Sequence, residues 1–139
     1  MLHLNLTYND SQSVVATPRD RLTCCEDVIW VFQITSPVTG NVVRFLPPMD
    51  TPADARWDRF NIILVEDVGN IDLLQGIIHV TTPGTWDYVI FAVDPLAPDP
   101  FADSAILQEC ETGLLKISVA PADVPAYSTD LITPTYPAL

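Results

Sequence analysis

The sequence has 139 residues, with 6 basic and 18 acidic side chains, a formal charge of −12 and 48% hydrophobic residues. That length suits one domain of ordinary size and leaves too little chain for two independent cores. The charge disfavours binding to phosphate backbones and anionic lipid surfaces, and the hydrophobic content sets the chain apart from disordered acidic tails.

At the start, Leu2, Leu4 and Leu6 alternate with His3 and Asn5. This is a strand pattern. It has neither the basic flank nor the continuous apolar run of a signal peptide or anchor. The longest apolar runs, 28–32 and 88–93, fall far short of the roughly 20 residues of a spanning helix, so a soluble protein is expected. Thirteen prolines break every helical window, because each removes an N–H donor and restricts the residue before it. What lies between them reads as strand. After a first candidate at 13–17, Val28, Trp30, Phe32 and Ile34 share one face, while Ile29, Val31, Gln33 and Thr35 share the other. The turn 36–41 then leads into 42–46, which predicts a hairpin.

Residues 46–57 hold too much proline for a ladder and are expected to form a loop ending near Trp57. A strand follows at 59–66, and Asp67-Val68-Gly69-Asn70 supplies a turn. Residues 74–82 read as another strand, with Gly76 as a bulge. Thr82-Pro83-Gly84-Thr85 places Pro and Gly at the central pair of a type II turn. Residues 86–93 form the strongest strand pattern, ended by Asp94-Pro95-Leu96-Ala97-Pro98-Asp99-Pro100, and 113–119 is the last. About eight strands at turn spacings of about 10 residues predict an all-β, antiparallel β-sandwich over 1–119. Beyond it, 120–139 carries four prolines without periodicity and reads as an extended C-terminal arm. Its anchors Tyr127, Leu131, Ile132 and Tyr136 are the residues expected to bind a neighbouring subunit; the other readings are a frayed tail or packing on its own domain.

Residues that carry chemistry are few. Cys24 and Cys25 are adjacent, so a bond between them closes a strained eight-membered ring, and Cys110 can bridge only one of them. Reduced thiols in an intracellular setting, acting as small buried hydrophobes, are the expectation. The histidines are His3 and His79, and His79 sits in an alternating strand where a sheet or core role is expected. Neither a Gly-x-Ser-x-Gly motif nor zinc-ligand spacing occurs. Asp94, Asp99 and Asp103 share one loop region, which leaves weak calcium binding open although the calcium-loop order is missing. Glu109 and Glu111 flank Cys110 with spacing that puts both on one face of an extended segment, in solvent. The five glycines form no phosphate loop. Trp30, Trp57, Trp86, Tyr88 and Phe91 suit either a core or a sugar-stacking platform, and Trp57, beside the Pro-rich loop, either caps the core or is exposed for contact.

The order of features from Val28 to Val119 resembles a family of small virion structural proteins of tailed bacteriophages, crAss-like and related phages. The shared pattern runs through Trp30-Val31-Phe32-Gln33-Ile34-Thr35, then Arg59-Phe60-Asn61-Ile62 and on to Glu66. Gly76-Ile77-Ile78-His79-Val80, Gly84-Thr85-Trp86-Asp87-Tyr88-Val89-Ile90-Phe91 and Thr112-Gly113-Leu114-Leu115-Lys116-Ile117-Ser118-Val119 complete it. The longer 94–103 loop, the single lysine and the Pro-rich arm depart from that pattern. The resemblance implies a non-enzymatic β-sandwich of the capsid auxiliary or decoration type, with no cofactor and no catalytic residues. Its implied location is the virion, and its partners are major capsid or neck proteins and copies of itself in a homo-oligomer. Acidity predicts the exterior, away from packaged DNA; the alternative reading is that acidity with little lysine reports a salty habitat and not a partner. A carbohydrate-binding module, with Trp57 or Trp86 exposed on a flat face, is the rival reading, and an enzyme comes third.

Overall fold

The alternating leucines form β1 (Leu2–Leu6), the first of eight strands in the computed structural model, which describes residues 2–24, 27–50 and 56–119. The others are β2 (Ser11–Ala16), β3 (Ile29–Thr35), β4 (Val42–Phe45), β5 (Asp58–Leu64), β6 (Ile77–Ile78), β7 (Gly84–Val93) and β8 (Ile106–Val119). They build two sheets, one of five strands in the order β1-β8-β7-β3-β4 and one of three in the order β2-β5-β6. The protein is an all-β two-sheet sandwich. Most neighbours run antiparallel. The edges differ from expectation, because β1 pairs parallel with β8 and β6 pairs parallel with β5.

The predicted β3–β4 hairpin forms, with Phe32 opposite Phe45 and Ser36 N–H donating to Asn41 O at 2.9 Å. Gly40, at φ +77, closes its turn. Between the sheets lies the main core. Leu4, Trp30, Phe32, Ile34, Phe45, Phe60, Ile62, Leu64, Trp86, Ile90 and Leu115 are among its buried members. At its centre Phe32 meets Phe60 of the other sheet edge-on, with ring centroids 4.8 Å apart, and burial of each ring stabilises the fold by about 1.5–3 kcal/mol.

The other face of β3 is buried too. Val31, Phe91, Val93 and Ala105 form a second apolar cluster on the outside of the five-stranded sheet, flanked by Ala97, Phe101 and Ile106. The 94–105 segment folds back over this face as a cover. This explains why β3 and β7 read as solid apolar runs, since a strand covered on both sides has no polar face.

Three expectations are corrected. Residues 74–82 are mostly not strand: Leu73–Gln75 is a 3₁₀ turn, Gly76 stops it in the left-handed region at φ +71, and only Ile77–Ile78 pairs as a strand. Asp72 and Ile77 exchange backbone bonds at 3.0 Å around that turn. Gly76 is required there, because a Cβ would lie 2.8 Å from Pro47 Cα and 2.9 Å from Asn61 O. The Pro83-Gly84 step is not the expected type II turn: Gly84, at φ +126, is far from the roughly +80° such a turn needs and already opens β7 opposite Ile117, so the step carries the chain from one sheet to the other. The last strand starts at Ile106 instead of 113 and spans 14 residues.

Candidate functional site: two clefts and the base of the C-terminal segment

The residues expected to bind a neighbour, Tyr127, Leu131, Ile132 and Tyr136, lie outside the described residues, as does all of 120–139. What the structure places is their origin. β8 ends at Val119, opposite Leu6 of β1, and its side chain is exposed. Ile117 is level with Gly84, and Ile106 with Val93, so β8 carries the chain from one pole of the sandwich to the other.

At the far pole, where Ile29 pairs with Val93, an apolar cleft of about 170 Å³ opens between the sheets. Val28, Trp30, Leu46, Pro47, Met49 and Phe60 line it. Met49 is 52% exposed at the rim, a large apolar side chain held by a bridge to Phe60. A second cleft, of about 240 Å³, lies where the sheets part between β4 and the chain after β6, lined by Asn41, Val43, His79, Thr81, Thr82 and Trp86. His79 lies just past β6, outside the strand in which it was expected, and its Nδ1–H donates to Val65 O at 2.9 Å.

Polar side chains elsewhere hold loops in place. Arg44, on β4, donates from Nε to Gln33 Oε1 and from Nη1 to Phe101 O, both at 2.7 Å, and pairs with Asp103 at 2.7 Å. Its guanidinium lies 5.5 Å from the centre of the Phe91 ring. One arginine thereby fastens the 94–105 cover to the sheet. The aspartates of that cover serve its turns: Asp94 accepts from Leu96 N–H and Asp99 from Phe101 N–H, at 2.9 and 3.0 Å. Asp94, Asp99 and Asp103 do not converge, and among the described residues no group of three or more acidic, His or Cys side chains is arranged to hold a metal ion. Nor is any helix there long and apolar enough to cross a membrane.

Glu111 is the clearest departure from the sequence reading. A register shift between Ile90 and Phe91 sets Glu109 opposite Phe91 on the outer face and Glu111 opposite Ile90 on the inner one. The extra residue, Cys110, breaks the period of two, so the glutamates face opposite ways. Glu111 accepts from Tyr88 O–H at 2.6 Å and from Thr17 N–H at 2.9 Å. The Tyr88 ring lies over Gly113, where a Cβ would come within 2.8 Å of it. Burial first, then the Glu111 hydrogen bond and charge, push the Tyr88 phenol well above its ordinary range. Three residues earlier on β8, Gln108 accepts from Thr23 N–H at 2.9 Å, so Glu111 and Gln108 together fasten the chain around Pro18–Arg21 to β8. Beside them Arg19 grips buried Asp58 with both carboxylate oxygens at 3.0 Å.

The cysteines divide. Cys110 is free and buried, and burial raises its thiol, which suits a small hydrophobe and not a nucleophile. Cys24 is disulfide-bonded, against the expectation of reduced thiols throughout. Among the tryptophans, Trp30 and Trp86 are buried, and Trp86 donates its ring N–H to Thr82 O at 3.2 Å. Trp57 is half-buried. Trp86 therefore offers no flat sugar-stacking face. Arg44 and Gln108 escaped sequence reading, and Tyr88 and Glu111 were singled out without their pairing; the one signal for Arg44 was an arginine in a chain with so few cations.

Comparison of the chain with protein-family models, with curated proteins and with solved structures returns no match. The fold and the clefts stand on their own geometry.

Proposed function

We propose that this chain is a non-enzymatic virion structural protein of a tailed bacteriophage, one that attaches to the exterior of the capsid or neck and stabilises or decorates the particle. The observation that supports it best is that four of the five segments resembling the virion family, at 30–35, 59–66, 84–91 and 112–119, fall on β3, β5, β7 and β8, the interior strands of the two sheets, while the fifth, 76–80, contains the edge strand β6. The use of polar groups agrees with a body built for rigidity. Arg44, Glu111, Gln108 and Arg19 are each spent on fastening a loop of the same chain. In such a protein the 120–139 arm supplies adhesion, and many weak contacts across a lattice add through multivalency. A charge of −12 fits the outer surface and opposes contact with packaged DNA.

Deleting 127–139 and measuring occupancy on purified particles tests the reading. Loss of the protein from particles is expected. Full incorporation without those residues would defeat it, and a single copy free of any particle would remove the class.

A further inference from the structure

Resting on the reading of 120–139 as an adhesive arm, we infer that the apolar cleft at the Ile29–Val93 pole is the receptor for that arm from a second copy of this chain. The cleft volume, about 170 Å³, is close to the ~150 Å³ that admits a benzene-sized ring, so it takes one aromatic side chain. The arm carries two, Tyr127 and Tyr136, with Leu131 and Ile132 between them. The floor is apolar, formed by Trp30, Leu46 and Phe60, and the rim is Met49 and Pro48. A seated ring would cover both rim residues. No cation occurs in the arm or among the cleft-lining residues, so the contact is apolar in an otherwise mutually repelling pair.

Geometry decides for a second copy. The arm leaves β8 at the pole marked by Gly84, whereas the cleft sits at the pole marked by Val93, the length of β7 away. Ten strand residues span about 30 Å, and Val119 lies beyond the Gly84 level. Tyr127 follows Val119 by eight residues, which reach at most about 29 Å when fully extended. It cannot enter the cleft of its own body. Tyr136 can reach it only by doubling back along the full height of the sandwich. In a head-to-tail pair the arm emerges directly against the next copy's cleft. Such a contact is heterologous, so repetition closes a ring or extends a row.

The test uses full-length protein and sedimentation velocity. Met49→Asp puts an unpaired carboxylate on the cleft rim, and a fourfold arm variant carries Tyr127→Ser, Leu131→Ser, Ile132→Ser and Tyr136→Ser. Each variant alone is expected to associate roughly tenfold or more weakly than the natural chain. Mixed together they are expected to form one-to-one heterodimers, because the arm variant keeps its cleft and Met49→Asp keeps its arm. Pro48→Glu, at another exposed rim position, repeats the measurement should Met49→Asp lower the melting temperature. Natural self-association by Met49→Asp and Pro48→Glu, or a mixture that stays monomeric, overturns the cleft assignment. If the arm variant loses association while both cleft variants keep it, the arm is adhesive but its receptor is elsewhere. If the arm variant associates and enters particles normally, the adhesive reading itself falls.

Discussion

Replacing Tyr88 with Phe removes one oxygen from the inner face of the five-stranded sheet and leaves the ring over Gly113 in place. The lost bond runs to a carboxylate, at 2.6 Å, and bonds to charged groups contribute about 1.5–3 kcal/mol. Glu111 keeps the Thr17 backbone donor and stays partly solvated, so the lower end applies, about 1.5 kcal/mol at pH 7. For a domain of this size that is a fall in melting temperature of about 5 °C. The pH dependence gives a sharper reading. The folded phenol is held above the ordinary tyrosine range, whereas the unfolded one ionises near pH 10. Above pH 10 the unfolded state has released a proton that the folded state retains, so stability falls by about 1.4 kcal/mol per pH unit until the folded phenol ionises. Below pH 10 the contribution is fully present. Tyr88→Phe lacks this proton, so the gap between the two proteins should narrow from about 1.5 kcal/mol at pH 7 to near zero at about pH 11. Cys110 titrates alike in both and cancels. Urea denaturation at the two pH values measures the gap; an equal gap at both would refute the argument that Tyr88 ionisation is suppressed by folding.

Other outcomes follow from the same geometry. Gly76→Ala meets both a left-handed backbone and atoms at 2.8 and 2.9 Å, so it should destabilise by about 3 kcal/mol, whereas Gly40→Ala, with nothing within 4 Å, should lose only about 1 kcal/mol; denaturant midpoints compare them. Arg44→Met should release the 94–105 cover, seen as faster hydrogen exchange confined to 95–105, with a stability loss of about 2 kcal/mol. Arg44→Lys should rescue little, because a single ammonium cannot span Gln33, Phe101 and Asp103 at once. Since each copy carries −12, self-association should strengthen as salt rises from about 0.05 to 0.5 M, because the Debye length shortens from more than 10 Å to a few ångströms. Weakening with salt would show that ion pairs, and not an apolar seat, hold copies together.

The amino-acid pattern alone determined β1 to β5, β7 and the hairpin between Thr35 and Val42, but not the extent of β6 or β8. Alternation and proline placement act over a few residues, so β1, β3, β5 and β7 lie where the sequence puts them to within a residue or two. Both faces of β3 were also legible, because Trp30, Phe32 and Ile34 on one side and Ile29 and Val31 on the other are all apolar. Tertiary structure decided the rest. Whether β1 runs parallel to β8 depends on a strand about a hundred residues away, and nothing local to Leu2–Leu6 records its direction. The 94–105 segment looks like a solvent loop until Phe91 and Val31 are seen to need a cover. A single inserted residue at Cys110 reverses the facing of Glu111, and only the partner strand reveals that insertion. The cleft is of the same kind: Val28, Leu46, Met49 and Phe60 are scattered in sequence, and they form a seat only because two sheets end together at one pole.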